Sequence, residues 1–172
     1  ASCLVGSEMC IRDRCVEVTE EGLYTCLIRN PHWQPERLTH GRADICFLRD
    51  AKTPMTKEEV REVSICKLHL TQNAVVYDIG SGTGSVAIEI AGVPGGVQVY
   101  AIERKPEAVE LLRKNREHFH MDNIQIIEAP APEGLEELPV PTHAFIGGSG
   151  GRLLDILQTL YRKNPHMRIV IN

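Results

Sequence analysis

Hydrophobic positions along this chain fall into two kinds of block that take turns. Short, β-branched runs stand at about 74–79, 97–102, 124–128 and 143–146. A further one opens at Arg168-Ile169-Val170-Ile171. Runs of this length with no internal polar alternation predict strands covered on both faces. Between them lie segments with helical spacing. One runs from Ser85 to Ala91 and stops at Gly92. Another opens on Pro106, well suited to a first helical position, and continues to about His118. It puts Val109, Leu112 and Phe119 on one stripe and Glu110 four residues before Lys114. A third follows Gly151 and carries Leu153, Leu154, Ile156, Leu157 and Leu160. Ahead of the first strand, Thr56-x-x-Glu59 has the spacing of a capping box, which predicts a helix there with Val60, Val63 and Leu68 facing a core. Strict alternation of strand and helix predicts an α/β, doubly wound, mostly parallel sheet with helices on both faces. Ligands of such sheets bind beyond the carboxyl ends of the strands.

The first fifty residues are less regular. Leu23–Ile28 reads as a short strand, and residues 31–53, with Pro31, Pro35, Gly41 and Asp44, read as linker. Residues 1–15 have little periodicity. The stretch from Leu4 to Asp13 looks like a translated sequencing-adapter read-through, so residues 1–15 are treated as non-native and set aside from fold reasoning.

The chemistry concentrates after the first strand. Val75-Val76-Tyr77-Asp78-Ile79 runs into Gly80-Ser81-Gly82-Thr83-Gly84, three glycines at alternate positions where a ligand can lie against bare backbone. The second strand ends in Glu103, at the distance where a carboxylate holds the ribose hydroxyls of a nucleoside. Together these features point to an adenosine-containing cofactor. The glycine spacing is G-x-G-x-G, and Ser85 occupies the place of a dinucleotide fingerprint's third glycine. The loop also lacks the Lys-Ser/Thr ending of a P-loop. A nicotinamide cofactor and a plain flexible turn are the readings this pattern disfavours.

Composition narrows the field. The chain has 172 residues, enough for one domain with at most a remnant of another. A net charge of −4 argues against a general nucleic-acid binder. No apolar run reaches the length of a membrane span, and no signal-peptide pattern opens the chain. Cys3, Cys10, Cys15, Cys26, Cys46 and Cys66 show no C-x-x-C spacing and no completing histidine pair. They read as free thiols in a reducing cytoplasm, and no metal site is expected.

The Asp78–Gly84 loop followed by acidic Glu103 resembles the first two motifs of doubly wound S-adenosylmethionine-dependent methyltransferases. Further segments narrow the likeness: Pro54-Met55-Thr56-Lys57-Glu58-Glu59-Val60-Arg61, Tyr100 to Ala108, Ala131-Pro132-Glu133 and Phe145 to Gly151. With them, residues 45–172 resemble the decarboxylating cobalt-precorrin-6B (precorrin-6Y) C15-methyltransferases of cobalamin biosynthesis. Residues 16–50 look like the tail of the C5-methyltransferase module often fused upstream, with the methyltransferase domain from 51 onward. The family's domain continues past a fifth strand into two more, which this chain lacks.

The resemblance implies cofactor contacts at Thr56, Asp78, Gly80, Ser81, Gly82, Thr83, Gly84, Glu103 and Ala131. Capping alone is an equal reading for Thr56. The family commonly has Gly-Asp before Ala-Pro, whereas Ala129-Pro130 stand here, so an aspartate partner for the adenine amine is missing. The implied substrate is a tetrapyrrole, and Gly147, Gly148, Ser149, Gly150 and Gly151 are the candidate platform for it. Lys57, Arg61, Arg104 and Arg152 are candidate partners for its carboxylates, with solvated surface charge the blander reading of each. His118, His120 and His143 are available as bases, and none is singled out as catalytic. The resemblance also implies a homo-oligomer, often a tetramer.

Overall fold

A computed structural model of the chain describes residues 39–172. The expected strand at 23–28, the set-aside stretch 1–15, and the first four cysteines lie outside the described residues. Five strands form one parallel sheet: β1 (Val75–Ile79), β2 (Gln98–Glu103), β3 (Ile124–Glu128), β4 (His143–Ile146) and β5 (Arg168–Ile171). Their order is β3-β2-β1-β4-β5. The winding reverses between β1 and β4, and such a switch point opens a crevice at the carboxyl edge. Four helices cross over between or beside the strands: α1 (Glu58–Leu68), α2 (Ser85–Ala91), α3 (Pro106–His118) and α4 (Leu153–Lys163).

The strand centres are mostly apolar because each face of the sheet has its own core. Val76, Val99, Ala101 and Phe145 point to the side covered by α1, α2 and α3, where they meet Ile65, Leu68, Ile88 and Leu112. Their neighbours Tyr77, Ile79, Ile102, Ala144 and Ile146 point to the other side, against Leu135, Ile156 and Leu160. Burying an isoleucine or leucine of this kind contributes about 1.5–3 kcal/mol. The buried Tyr77 hydroxyl donates to the carbonyl of Pro139, which satisfies its polar end.

The start of α1 departs from the sequence expectation. The helix begins at Glu58 with Lys57 as its cap residue, and no side chain caps it. Glu59 is therefore one position too early to close a capping box with Thr56. Val60 and Val63 face solvent, and the buried face is Arg61, Ser64, Ile65 and Leu68. Arg61 causes the rotation. Its guanidinium, fully buried, donates to Asp44 at 3.0 Å, to the Thr56 carbonyl at 2.7 Å and to the Arg42 carbonyl. It also lies over the Phe47 ring, 4.7 Å from its centroid. Its Nε makes no hydrogen bond among the described residues and lies 3.7 Å from Glu89, yet a buried cation with this many partners outweighs two valines, since leaving it unpaired would cost several kcal/mol.

The stretch that reads as linker, from 39 to 53, holds only one 3-10 turn, Asp44–Cys46, yet it is fastened to the core. Glu89, buried on α2, accepts from the backbone of Gly41 and Arg42 and pairs with the Arg42 guanidinium at 3.0 Å. Buried Asn115 of α3 accepts from the Leu48 amide and donates to the carbonyls of Leu48 and Thr83. One side chain thus joins this stretch to the glycine loop. Cys46 and Cys66 are exposed free thiols.

Candidate functional site

A pocket of about 220 Å³ opens at the carboxyl edge of the sheet beside the switch point. Its wall is built from the ends of β1 and β2 (Ile79, Gly80, Ile102, Glu103, Arg104, Lys105) and the loops after β3 and β4. Those loops supply Ala129, Pro130 and Ala131, then Gly148, Ser149, Gly150 and, leading into α4, Arg152. Sites that engulf a drug-sized ligand usually run to about 300–1,000 Å³. A larger guest would extend from this pocket over the Gly148–Gly150 loop.

Glu103 is the one carboxylate in the wall. It is 8% exposed, and three backbone amides orient it: Arg104 and Lys105 donate to Oε1 at 2.9 and 3.0 Å, and Gly82 donates to Oε2 at 3.0 Å. Each carboxylate oxygen accepts about two hydrogen bonds, so Oε2 keeps a lone pair for a donor in the pocket. Asp78 lies deeper, 1% exposed and outside the wall. The Ser81 hydroxyl donates to its Oδ2 at 2.6 Å, and Oδ1 has no hydrogen-bond partner among the described residues. Burial pushes this carboxyl up to about 6, with the Ser81 hydroxyl and the nearby Ala87 amide pulling the other way. The Thr83 hydroxyl is also buried without a partner.

The first glycine loop turns on three residues in the left-handed region, Gly80 (φ +73°), Gly82 (+56°) and Gly84 (+80°). What fills the space of their missing side chains differs. A Cβ on Gly80 would lie 2.5 Å from the Gly148 carbonyl oxygen, so Gly80 lets the β1 and β4 loops close on each other. One on Gly82 would meet the Pro54 carbonyl at 2.6 Å, and one on Gly84 would run into Leu112 of α3. Two of the three glycines therefore serve packing, and Gly80 alone of them lines the pocket.

The structure thus brings Gly80, Glu103, Ala131, Gly148, Ser149 and Gly150 into one wall. Thr56, Asp78, Ser81, Gly82, Thr83, Gly84, Gly147 and Gly151 lie outside it. Ala129 and Pro130 stand in the wall where the expected aspartate would be, and neither side chain offers a hydrogen bond. Arg61 is withdrawn from any role toward substrate by its buried partners, and exposed Lys57 sits 3.6 Å from Asp44. His143 is buried at the opposite end of β4, starting the strand rather than ending it, and burial holds its pKa below the usual value. Sequence reasoning missed two residues. Lys105 is in the wall, and its signal was its place two residues past the strand-ending acid. Asn115 ties the glycine loop down, and its signal was an amide three residues after Leu112 on an apolar stripe.

Among the described residues no group of histidine, cysteine and acidic side chains is arranged to hold a metal ion. None of the described helices is long and apolar enough to cross a membrane.

Comparison with known proteins converges on one family. The family described as precorrin methyltransferase domain matches residues 46–172. A probable cobalt-precorrin-6B C(15)-methyltransferase (decarboxylating) of Sulfolobus acidocaldarius is 46% identical over 127 residues, 72% of this chain and 65% of that protein. The cobalt-precorrin-6B C(15)-methyltransferase (decarboxylating) of Salmonella typhimurium is 43% identical over 129 residues, 74% of this chain and 66% of its own length. The chain thus spans just under two thirds of either relative. Among solved structures, the precorrin-6Y C5,15-methyltransferase of Geobacter metallireducens superposes with a TM-score of 0.74 at 38% identity, covering 80% of this chain and 73% of that one.

Proposed function

The chain belongs to the precorrin methyltransferase family, and on that premise we propose that it is an S-adenosylmethionine-dependent C-methyltransferase of corrin-ring biosynthesis. The reaction is methylation at C15 of (cobalt-)precorrin-6B with decarboxylation of the C12 acetate. The observation that carries the reading is the meeting of Glu103, Gly80 and Ala131 in one pocket at the switch point of the sheet.

The residues present fit the cofactor. The open lone pair of Glu103 Oε2 suits a ribose hydroxyl. Gly80 brings bare backbone to the pocket, and Ala131 offers main-chain groups to the adenine. The orphaned oxygens of Asp78 and Thr83, buried beneath the loop, are the groups there with hydrogen-bonding capacity to spare. When bound, the cofactor supplies a methyl group made electrophilic by its sulfonium.

The chain's own residues bind, orient and exclude water, which can lower a barrier by several kcal/mol. The exposed Gly147–Gly151 loop is the platform on which a flat macrocycle rests. The electron pair left by carbon dioxide passes into the conjugated ring, and a proton taken up at the former acetate carbon completes its methyl group; no side chain is assigned as the donor. The working partner is a tetrapyrrole and not a nucleic acid, and the setting is cytoplasmic. The assembly is a homo-oligomer, with a tetramer as the first state to test. Residues 16–50 are the tail of a C5-methyltransferase module, and the activity resides in the domain from 51 onward.

Calorimetric titration with S-adenosylhomocysteine, with NADH in parallel, tests the cofactor. Micromolar binding of the first alone is expected. Glu103→Ala should weaken it about tenfold or more, the cost of hydrogen bonds to a charged group. NADH binding in its place overturns the cofactor assignment. Mass analysis of a precorrin-6B incubation, which should show one methyl gained and one carbon dioxide lost, tests the reaction.

A further inference from the structure

Three cations stand in the wall of the pocket: Arg104, Lys105 and Arg152. Arg152 is already committed. It donates to Glu133 and lies 3.4 Å from Asp155, and the Glu133 contact both raises its own pKa and holds Glu133 below the usual carboxylate range. Arg104 and Lys105 differ. Both are exposed, and among the described residues neither forms an ion pair. In a chain of net charge −4, two adjacent unpaired cations in a pocket wall are a local reversal of sign.

Their placement is held from both sides. The backbone amides of both residues are fixed on Glu103 Oε1, so their side chains leave from an anchored stretch. The Arg104 guanidinium then lies against Gly150. A Cβ there would come within 3.1 Å of one guanidinium nitrogen and 3.2 Å of its central carbon. Gly150, in the left-handed region at φ +57°, therefore makes room for this cation on the very loop proposed as the substrate platform. A planar guanidinium presents a fork of donors that matches a carboxylate, and a neighbouring ammonium adds a point charge.

We propose that Arg104 and Lys105 form a carboxylate subsite at the junction of the cofactor pocket and the Gly148–Gly150 loop, which selects a substrate bearing acidic side chains. Arg104 clamps one carboxylate and Lys105 strengthens the local field. The subsite rests on the tetrapyrrole reading above and deepens it by naming the residues that discriminate.

The test is a fluorescence titration of the full chain, with S-adenosylhomocysteine present, against uroporphyrin III, a stable tetrapyrrole rich in carboxylates. Arg104→Gln should weaken uroporphyrin binding about tenfold, as expected for losing hydrogen bonds to a charged group. Lys105→Gln should weaken it less, and the salt dependence should be shallower in Arg104→Gln than in the wild type. Lys114→Gln removes the same charge from an i, i+4 pair with Glu110 on α3 and should leave the titration unchanged. Affinity for S-adenosylhomocysteine should be the same in wild type and Arg104→Gln. Equal uroporphyrin binding by wild type and Arg104→Gln overturns the proposal, as does a loss of the same size in Lys114→Gln or no uroporphyrin binding at all. A loss of S-adenosylhomocysteine affinity in Arg104→Gln overturns it too, and makes Arg104 a cofactor contact. Failure of the cofactor assignment itself reads out separately, as a wild-type chain that does not bind S-adenosylhomocysteine.

Discussion

Two glycine-rich loops meet at the switch point of the sheet, and they use glycine in opposite ways. In Gly80–Gly84 the space where each side chain would go is already taken by the protein: the Gly148 backbone, the Pro54 carbonyl and Leu112. The following residues Ser81 to Gly84 are all buried. In Gly147–Gly151 four of the five residues are exposed, a Cβ on Gly151 would meet nothing within 4 Å, and one on Gly148 would make only an ordinary 3.8 Å contact with Gly80. The first loop is glycine because the fold needs it. The second has softer claims on it: Gly150 and Gly151 turn in left-handed backbone and Gly147 lies close to the Phe145 ring, but Gly148 carries neither constraint, which leaves room for a guest as its reason. The difference is that a glycine motif identifies a site only after the protein's own claims on the space have been subtracted.

The largest effect that separates the two loops is expected at Gly80. Gly80→Ala forces a side chain into left-handed backbone and onto rigid main chain, with the Gly148 oxygen at 2.5 Å and its nitrogen at 2.7 Å. Overpacking and strain of this kind should together cost about 3–5 kcal/mol. Urea unfolding followed by circular dichroism checks it. A loss below about 1 kcal/mol would mean that the β1 and β4 loops part easily, and the contrast between them would fail.

Beneath the first loop, Asp78 offers a second, somewhat smaller test. Its carboxyl ordinarily titrates near 3.8 and is pushed up to about 6 by burial. The folded state therefore holds its proton more tightly than the unfolded state does. Stability from this group is full below 3.8 and is lost as pH rises toward 6, the reverse of a salt-bridged carboxylate. Two pH units of displacement correspond to roughly 2–3 kcal/mol. Asp78→Asn cannot ionise, so the fall in unfolding free energy from urea titrations between pH 4 and pH 7 should be shallower in the variant by about that amount. Parallel slopes in the two proteins would show that Asp78 keeps an ordinary pKa.

The same distinction explains what the sequence disclosed. All five strands and the helices α2, α3 and α4 were legible because apolar periodicity and Pro106 and Gly92 mark them locally. Gly80 and Glu103 were marked by motif spacing along the carboxyl edge, and Ala131 by the resemblance to the methyltransferase family. The face of α1 was not legible, since Arg61 is buried only because Asp44, Arg42 and Glu89 converge on it from elsewhere in the chain. Thr56-x-x-Glu59 satisfied a local rule, but the helix began one residue later. Which glycines face a pocket and which face Leu112 or Pro54 was equally hidden, because the deciding neighbours are tertiary. The hold of 39–53 on the core escaped notice for the same reason: Asn115 and Glu89 make it mostly through backbone groups, which leave no residue pattern, and the one side-chain pair, Arg42 with Glu89, joins residues far apart in the chain.

The smallest effect on stability, and the sharpest on the comparison, belongs to Gly148→Ala. Its backbone lies outside the left-handed region, and the new methyl group would rest at van der Waals distance from Gly80 Cα. Stability should change by less than about 0.5 kcal/mol, as for a surface substitution that breaks nothing. Gly148 nevertheless lines the pocket, on the loop over which a larger guest must lie. A methyl group there occupies the guest's space, so uroporphyrin affinity should fall several-fold while the urea midpoint stays put. That split is the signature of glycine kept for a ligand. If instead Gly148→Ala unfolds as readily as Gly80→Ala, the second loop is packed as tightly as the first, and its glycines belong to the fold after all.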